Sequence, residues 1–263
     1  AEFYLIYIAD ETWVFGMRPG IMNHELRIME ASAVVSDNCG SRFMIHNSKF
    51  IIHLLGEFNI PNALAAIAVG KSQGISEEKI AEGIASVKLV EGRMEFIDAG
   101  QPFKVVVDYA HEPMSLTALF STLKKIVSPN NGKVIGVIGS DGGGRDKGKR
   151  AKMGEIAGRL CDYVVITDVN CFDEDPNEIA EMLAVGARNA GKTDDINLFI
   201  EVDRKNGIKK AFSLAGPGDV VAITAKGTEP CICVARGQKI PWDDRKVARE
   251  LLSFSVQSLP AAG

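Results

Sequence analysis

Beyond Gly92 the sequence alternates short β-branched runs with helical stretches, and this rhythm restricts the fold more than any other feature. Apolar runs fall at residues 103–108, 133–139, 163–167, 198–202 and 219–224. Helix-period patterns lie between them at 115–127, 149–160, 176–190 and 204–214, and another closes the chain at 243–252. Short strands separated by helices of ~10–15 residues predict βαβ units and a mainly parallel sheet. In such sheets ligands gather at the carboxyl ends of the strands, where loops and helix N-termini meet. That directs attention to four loops, after Val107, Ile138, Ile166 and Ile223.

Upstream of Gly92 the pattern changes. Residues 1–52 are β-rich, with alternating or aromatic runs at 11–16, 42–45 and 49–54 and turn signals at Pro19-Gly20 and Asn38-Cys39-Gly40. Small apolar residues predict a helix over 62–69 ending near Gly74, and a second follows over 76–84 with Ser76 as N-cap. Lys79 stands where a full capping box has glutamate. Residues 87–92 read as a linker. The expected organisation is one domain over 1–88 and an α/β domain over 91–263.

Composition bounds the class. A length of 263 residues allows about two domains at most. Thirty Lys and Arg against 34 Asp and Glu give a net charge of −4, which argues against a non-specific nucleic-acid binder but leaves a local basic patch open. No stretch approaches the ~18 consecutive apolar residues of a membrane span. Cys39, Cys161, Cys171, Cys231 and Cys233 are too scattered for a disulfide framework and contain no CxxC zinc pair. They read as reduced thiols of a cytosolic protein. Ala1-Glu2-Phe3-Tyr4-Leu5 has neither an initiator Met nor a signal-peptide pattern, and reads as the interior of a longer protein.

The four strand-end loops carry the chemistry. The first, Asp108-Tyr109-Ala110-His111-Glu112-Pro113, sets a carboxylate, a phenol and an imidazole within four residues. Two readings stand side by side: Asp108 or Glu112 caps the helix begun near Pro113, or the cluster faces a nucleotide or metal. The second loop runs from Gly139 to Arg150. Its glycines free backbone amides to approach an anion, and Arg145, Lys147, Lys149 and Arg150 outweigh Asp146 at a helix start. The spacing is neither GxGxxG nor a P-loop. A carboxylate or phosphate ligand is the expectation, against a flexible turn with a solvated basic face. In the third loop Asp173-Glu174-Asp175 precedes Pro176 as a helix cap, and Asn170 is a contact for a polar substrate. The fourth, Ala225-Lys226-Gly227-Thr228-Glu229-Pro230, offers Glu229 to an amine and Lys226 to an anion.

Taken in order, these residues resemble the Mur ligase family, most closely its UDP-N-acetylmuramoyl-tripeptide synthetases. Leu55 to Ala66 looks like the end of that family's central ATPase domain, where an asparagine pair lies by the adenine; this carries onto Asn59 and Asn62. Gly92-Arg93-Met94-Glu95 is similar to GRME, which opens the final domain and brings an arginine to the nucleotide. Asp108-Tyr109-Ala110-His111 matches DYAH, and residues 142–150 match GGxRDKGKR with one extra residue ahead of the glycines. Lys239-Ile240-Pro241-Trp242-Asp243-Asp244-Arg245 is similar to KIPFDDR. The resemblance covers nearly the whole chain.

It has two local departures. Diaminopimelate-adding members read DNPR where this chain has Val169-Asn170-Cys171-Phe172, so Phe172 replaces the arginine that would hold the amino acid's carboxylate. The family's GKGHE becomes Ala225-Lys226-Gly227-Thr228-Glu229. The resemblance implies Arg145, Asn170, Ala225 and Glu229 as amino-acid contacts, with Lys147 and Lys226 as further candidates. It implies Asn59, Asn62, Arg93, Asp108 and His111 around ATP. No catalytic residue and no metal ligand is assigned. Whether the amino acid is diaminopimelate, lysine or another stays open.

The implied activity is ATP-dependent amide ligation in peptidoglycan precursor synthesis. ATP phosphorylates the terminal carboxylate of UDP-MurNAc-L-Ala-D-Glu to an acyl phosphate, which an incoming amine attacks. ATP and magnesium are the implied cofactors. The family's GTNGKT P-loop has no counterpart in the sequence, so most magnesium ligands are expected upstream. The expected protein is therefore a Rossmann-like final domain (91–263) preceded by a truncated central domain (1–88), cytoplasmic and monomeric, without a membrane or nucleic-acid partner. A folylpolyglutamate-synthetase-like ligase is one alternative, opposed by GRME, DYAH and RDKGKR together. A non-catalytic domain that kept a binding pocket is the other.

Overall fold

The computed structural model describes residues 4–8, 11–16, 27–37 and 39–256. Residues 1–3, the Pro19-Gly20 turn and Asn38 lie outside the described residues. The chain divides into two compact units, Ala1–Val90 and Glu91–Gly263.

The first unit is β-rich before it is helical. Strands β1 (Tyr4–Ile8), β2 (Glu11–Gly16) and β3 (Arg27–Glu30) form one sheet, with β1 antiparallel and β3 parallel to β2. Strands β4 (Ser32–Asp37), β5 (Gly40–Ile45) and β6 (Ser48–Ile52) form an antiparallel meander. Phe43 and Phe50 stack across it at 5.7 Å between ring centroids. Both are buried with Ile45, Ile52, Ile60, Leu64 and Ile67, each worth about 1.5–3 kcal/mol when fully covered. Helices α1 (Asn59–Ser72) and α2 (Glu77–Ser86) supply the other side of this core. Helix α1 begins three residues before the predicted start because Pro61 falls in its first turn, where a missing N–H costs nothing. Ser76 occupies the N-cap of α2, but its hydroxyl makes no capping bond.

In the second unit, strands β7 (Glu95–Ile97), β8 (Lys104–Val107), β9 (Val134–Ile138), β10 (Tyr163–Ile166), β11 (Leu198–Ile200) and β12 (Val220–Ile223) form one sheet. Its order is β11-β10-β9-β12-β8-β7, parallel except for β7. The fold is therefore Rossmann-like α/β. Helices α3 (Pro113–Val127), α4 (Gly148–Leu160) and α5 (Pro176–Asn189) cover one face. Helix α6 (Arg204–Leu214) and the last helix, α7 (Asp244–Val256), cover the other. Because successive strand residues point to opposite faces, Val105, Val107, Ile135, Val137, Val165, Val221 and Ile223 all meet α6 and α7. Both faces are buried, which explains the unbroken β-branched runs.

Three elements escape the sequence reading. The three-residue β7 is antiparallel, and β13 (Cys231–Val234) and β14 (Gln238–Pro241) form a separate hairpin. No helix among the described residues is long and apolar enough to cross a membrane.

Candidate functional site

From β9 the chain steps outward to β10 and β11 along one face, then returns through α6 on the other to insert β12 beside β9. The carboxyl ends of β9 and β12 therefore flank a reversal in strand order, the place where open α/β sheets hold ligands. All four loops singled out by the sequence end there.

The turn after β8 is organised by Asp108. It is nearly buried; Oδ2 accepts from the Met94 amide at 2.7 Å and Oδ1 from the Ala110 amide at 2.7 Å. Burial pushes its carboxyl above the usual aspartate value, against the two backbone bonds. The N-cap of α3 is Glu112, in a reciprocal capping box with Ser115. Asp108 instead ties residue 94 to the strand end. The Gly92 and Gly227 backbones touch here: a Cβ on Gly92 would lie 2.6 Å from the Gly227 carbonyl carbon, and both residues have positive φ. This packing sets the Arg93 guanidinium 4.6 Å above the Tyr109 ring. The His111 ring meets Tyr109 edge-on at 4.7 Å, with Nδ1 2.8 Å from the Tyr109 carbonyl. Arg93 is exposed and makes no ion pair with a described residue.

A polar cluster joins the third and fourth loops. Lys226 has no exposed surface; its Nζ donates to Glu229 Oε2 at 2.8 Å and to Asn170 Oδ1 at 3.1 Å. Asn170 Nδ2 donates to Asp141 Oδ1 at 2.8 Å and to Glu229 Oε2 at 3.1 Å, while its Oδ1 also receives the Cys233 amide at 2.9 Å. The four hydrogen-bonding positions of Asn170 are thus filled from within the chain. Tyr109 closes the cluster, its hydroxyl donating to Glu229 Oε1 at 3.1 Å. Burial draws the Glu229 carboxyl upward, but hydrogen bonds from Lys226 and Asn170 outweigh it and hold the group below the usual glutamate value. A carboxylate has about four acceptor positions, and Glu229 uses three, so one on Oε1 remains open. Ala225, before this lysine, is buried and carries a φ of 82°, a left-handed conformation that favours glycine.

The glycine-rich loop argues against the solvated basic face that stood as the alternative to a ligand site. Its four cations do not form a free basic face. Lys147 and Arg150 both pair with Glu174 at 3.0 Å, and Lys149 pairs with Glu112. These hydrogen bonds, from Arg150 first and then Lys147, hold the Glu174 carboxyl down at about 2. Arg150 is fully buried and also donates to the Asp141 carbonyl at 2.9 Å. Arg145 is exposed and alone of the four makes no ion pair with a described residue. Its amide closes a turn on Gly142, whose own amide donates to the Asn170 carbonyl at 2.8 Å. The Phe172 ring packs against Gly143, where an added Cβ would meet it at 2.7 Å. Asp175 caps α5 through the Asn177 amide, with Pro176 at the first helical position.

Asn59 and Asn62 lie in the first unit, on the opening turn of α1. Asn59 Nδ2 donates to the Leu55 carbonyl at 2.8 Å, and Asn62 Nδ2 to Asn59 Oδ1 at 3.2 Å. Among the described residues no group of three or more His, Cys, Asp or Glu is placed to hold a metal ion.

The family model described as "Mur ligase, glutamate ligase domain" matches residues 92–227, just over half of the chain. The chain belongs to the Mur ligase family. A UDP-N-acetylmuramyl-tripeptide synthetase of Roseiflexus sp. (strain RS-1) is 42% identical over 77% of this chain and 39% of its own length. A UDP-N-acetylmuramoyl-L-alanyl-D-glutamate–2,6-diaminopimelate ligase of Solibacter usitatus is 40% identical over 83% of this chain and 43% of its own. The chain spans about two fifths of the length of such curated relatives. A solved UDP-N-acetylmuramoyl-L-alanyl-D-glutamate–2,6-diaminopimelate ligase superposes with TM-score 0.57 at 26% identity, over 88% of this chain and 49% of that one. The UDP-N-acetylmuramate-alanine ligase of Thermotoga maritima, at 18% identity, shares the fold with TM-score 0.62 over 88% of this chain and 46% of its own.

In this Mur ligase chain, the partnerships of several residues near the site lie beyond the sequence reading. Tyr109 and Asp141 complete the cluster through bonds to Glu229 and Asn170. Arg204 and Asp244 form a buried bidentate pair at 2.8 and 2.7 Å beneath it, and Arg204 also holds the Thr224 carbonyl at 2.6 Å and Thr167 Oγ1 at 3.0 Å. Asp244 and Arg245 were visible in the late KIPWDDR segment, without a role. The Arg245 guanidinium reaches Glu91 at 2.7 Å and Glu95 at 3.6 Å, joining that segment to the one beginning at Gly92.

Proposed function

We propose that this chain carries the amino-acid-receiving site, and part of the nucleotide-facing machinery, of an ATP-dependent ligase of peptidoglycan precursor synthesis. In this reading the ligase adds an amino acid to UDP-MurNAc-L-Ala-D-Glu, in the cytoplasm, as a monomer and without a membrane or nucleic-acid partner. One observation carries it: the open acceptor position on Glu229, in a cluster with one more carboxylate than ammonium, which Asp141 joins from the same loop that bears the unpaired Arg145.

A zwitterionic amino acid matches that pair of charges. Glu229 receives an ammonium, and the Arg145 guanidinium offers a bidentate fork to a carboxylate. Asn170, saturated inside the chain, positions Glu229 rather than reaching the ligand directly. Lys226 and Ala225 shape the same turn, and Lys147, paired with Glu174, steadies the loop that presents Arg145. Because its carboxyl is held low, Glu229 orients an ammonium without taking its proton. An amine anchored there is no nucleophile, so the attacking amine is a second one. This favours diamino acids, lysine or diaminopimelate among them.

Arg93 and His111 fit the phosphates of a nucleotide, since a guanidinium standing free on Tyr109 suits an anion. Asp108 has both oxygens engaged by backbone amides and acts by fixing the turn that carries Arg93. Asn59 and Asn62 are assigned to the adenine. ATP with magnesium, when bound, supplies the phosphoryl group that activates the acceptor carboxylate.

Calorimetric titration of the chain with lysine, diaminopimelate and alanine tests the reading. The expected result is binding of a diamino acid, weakened roughly tenfold or more by Arg145→Ala and by Glu229→Gln, the effect of losing one charge-assisted bond. Equal affinity in both variants would refute it.

A further inference from the structure

The thiols of Cys231 and Cys233 have no part in the site as assigned. They occupy alternate positions of β13, so their side chains leave one face while Ile232 between them is buried on the other. The two sulfurs lie 4.0 Å apart, and both residues are half-buried. Cys161 and Cys171, by contrast, are buried. Burial and the Asp168 carboxylate push the Cys171 thiol up to about 11, which keeps it unreactive.

The pair is wired to the candidate site through backbone. The Cys233 amide donates to Asn170 Oδ1 at 2.9 Å, and its carbonyl accepts from the Phe172 amide at 3.1 Å. Strand β13 lies outside the six-stranded sheet, paired with β14 and bridged to the third loop between Val234 and Phe172, so bending it bears directly on the contacts to Phe172 and Asn170. Residues two apart on an extended strand have Cα atoms about 6.6 Å apart, near the upper limit that a disulfide spans. Closing an S–S bond of about 2.05 Å therefore draws β13 inward.

We propose that Cys231 and Cys233 are a dithiol modification site, oxidised by peroxides to a disulfide, and that closure loosens the Cys233 contacts to Asn170 and Phe172. One thiolate attacks the peroxide: an S–O bond forms, the O–O bond breaks, and the departing hydroxide is protonated to water. The second thiol attacks the resulting sulfenic sulfur. An S–S bond forms, the S–O bond breaks and a second water leaves. Two thiols lose two electrons and hydrogen peroxide gains them. Burial and the neighbouring sulfur raise the Cys233 thiol above its ordinary value, so the first attack on the peroxide is assigned to Cys231.

The test treats the whole chain with hydrogen peroxide, then alkylates and digests it with trypsin. Cleavage after Lys226 and Arg236 yields a peptide containing these two cysteines and no other. The expected product is lighter by two hydrogens, resists alkylation, and reverts with a phosphine. Amide exchange at Phe172 and Cys233 then rises about tenfold on oxidation and returns on reduction, as for loss of one hydrogen bond. Cys231→Ser abolishes both effects. Should that variant fail to fold, phenylarsine oxide on the unmodified chain takes its place, since one arsenic bridges both sulfurs only if they are neighbours. Separate oxygen additions on the two sulfurs, no reaction, or two arsenicals per peptide overturn the site. A disulfide with unchanged exchange overturns its link to Asn170.

Discussion

Lys226, without exposed surface, donates to Glu229 Oε2 at 2.8 Å, and this ion pair sets the charge of the whole strand-end cluster. Glu229, Asn170 and the Val169 carbonyl surround its buried ammonium. Removing one partner of such a pair leaves the other poorly compensated. Lys226→Met is therefore expected to destabilise the second unit by about 3 kcal/mol, read as a lower urea midpoint at unchanged slope. A variant within ~0.5 kcal/mol of the parent would show that the pair is not structural.

The pH response follows from Glu174. Arg150 and Lys147 hold its carboxyl at about 2, below the ordinary 4.5. Between those values the unfolded chain binds the additional proton, so stability rises with pH across that window. The contribution is complete above the ordinary value and is lost as pH falls toward the folded one. Thermal melts at stepped pH should show Glu174→Gln with a shallower acid-side decline than the parent. Parallel declines would contradict the pairing.

Helices α4 and α5 cross at a reciprocal glycine contact. A Cβ on Gly154 would lie 1.8 Å from the Leu183 carbonyl oxygen, and one on Gly186 1.8 Å from that of Ala151. Neither obstacle is a side chain that can swing away. Gly154→Ala is expected to cost about 3 kcal/mol through forced separation of the helices, measured by chemical denaturation. An unchanged midpoint would mean that the helices part freely.

The legible parts of the molecule are those fixed by local pattern. Val105–Val107, Ile135–Ile138 and Val220–Ile223 announce themselves because both faces of the sheet are buried. Strand β7 and the β13–β14 hairpin are too short for periodicity to register. At the site, residue types were readable and partnerships were not. Lys147, Lys149 and Arg150 look like an anion trap until Glu174 and Glu112 arrive from other loops. Asn170 looks like a ligand contact, yet its saturation depends on Asp141, Lys226, Glu229 and Cys233, up to 63 residues away.

The proposal that Glu229 receives an ammonium is tested most directly by a ligand–residue cycle. Binding of a diamino acid, and of the analogue with the non-attacking amine replaced by hydrogen, is measured calorimetrically to the parent and to Glu229→Gln. The predicted result is that amine removal weakens binding to the parent about tenfold or more and leaves binding to the variant nearly unchanged, a coupling above ~1 kcal/mol. Equal losses in parent and variant would contradict the assignment.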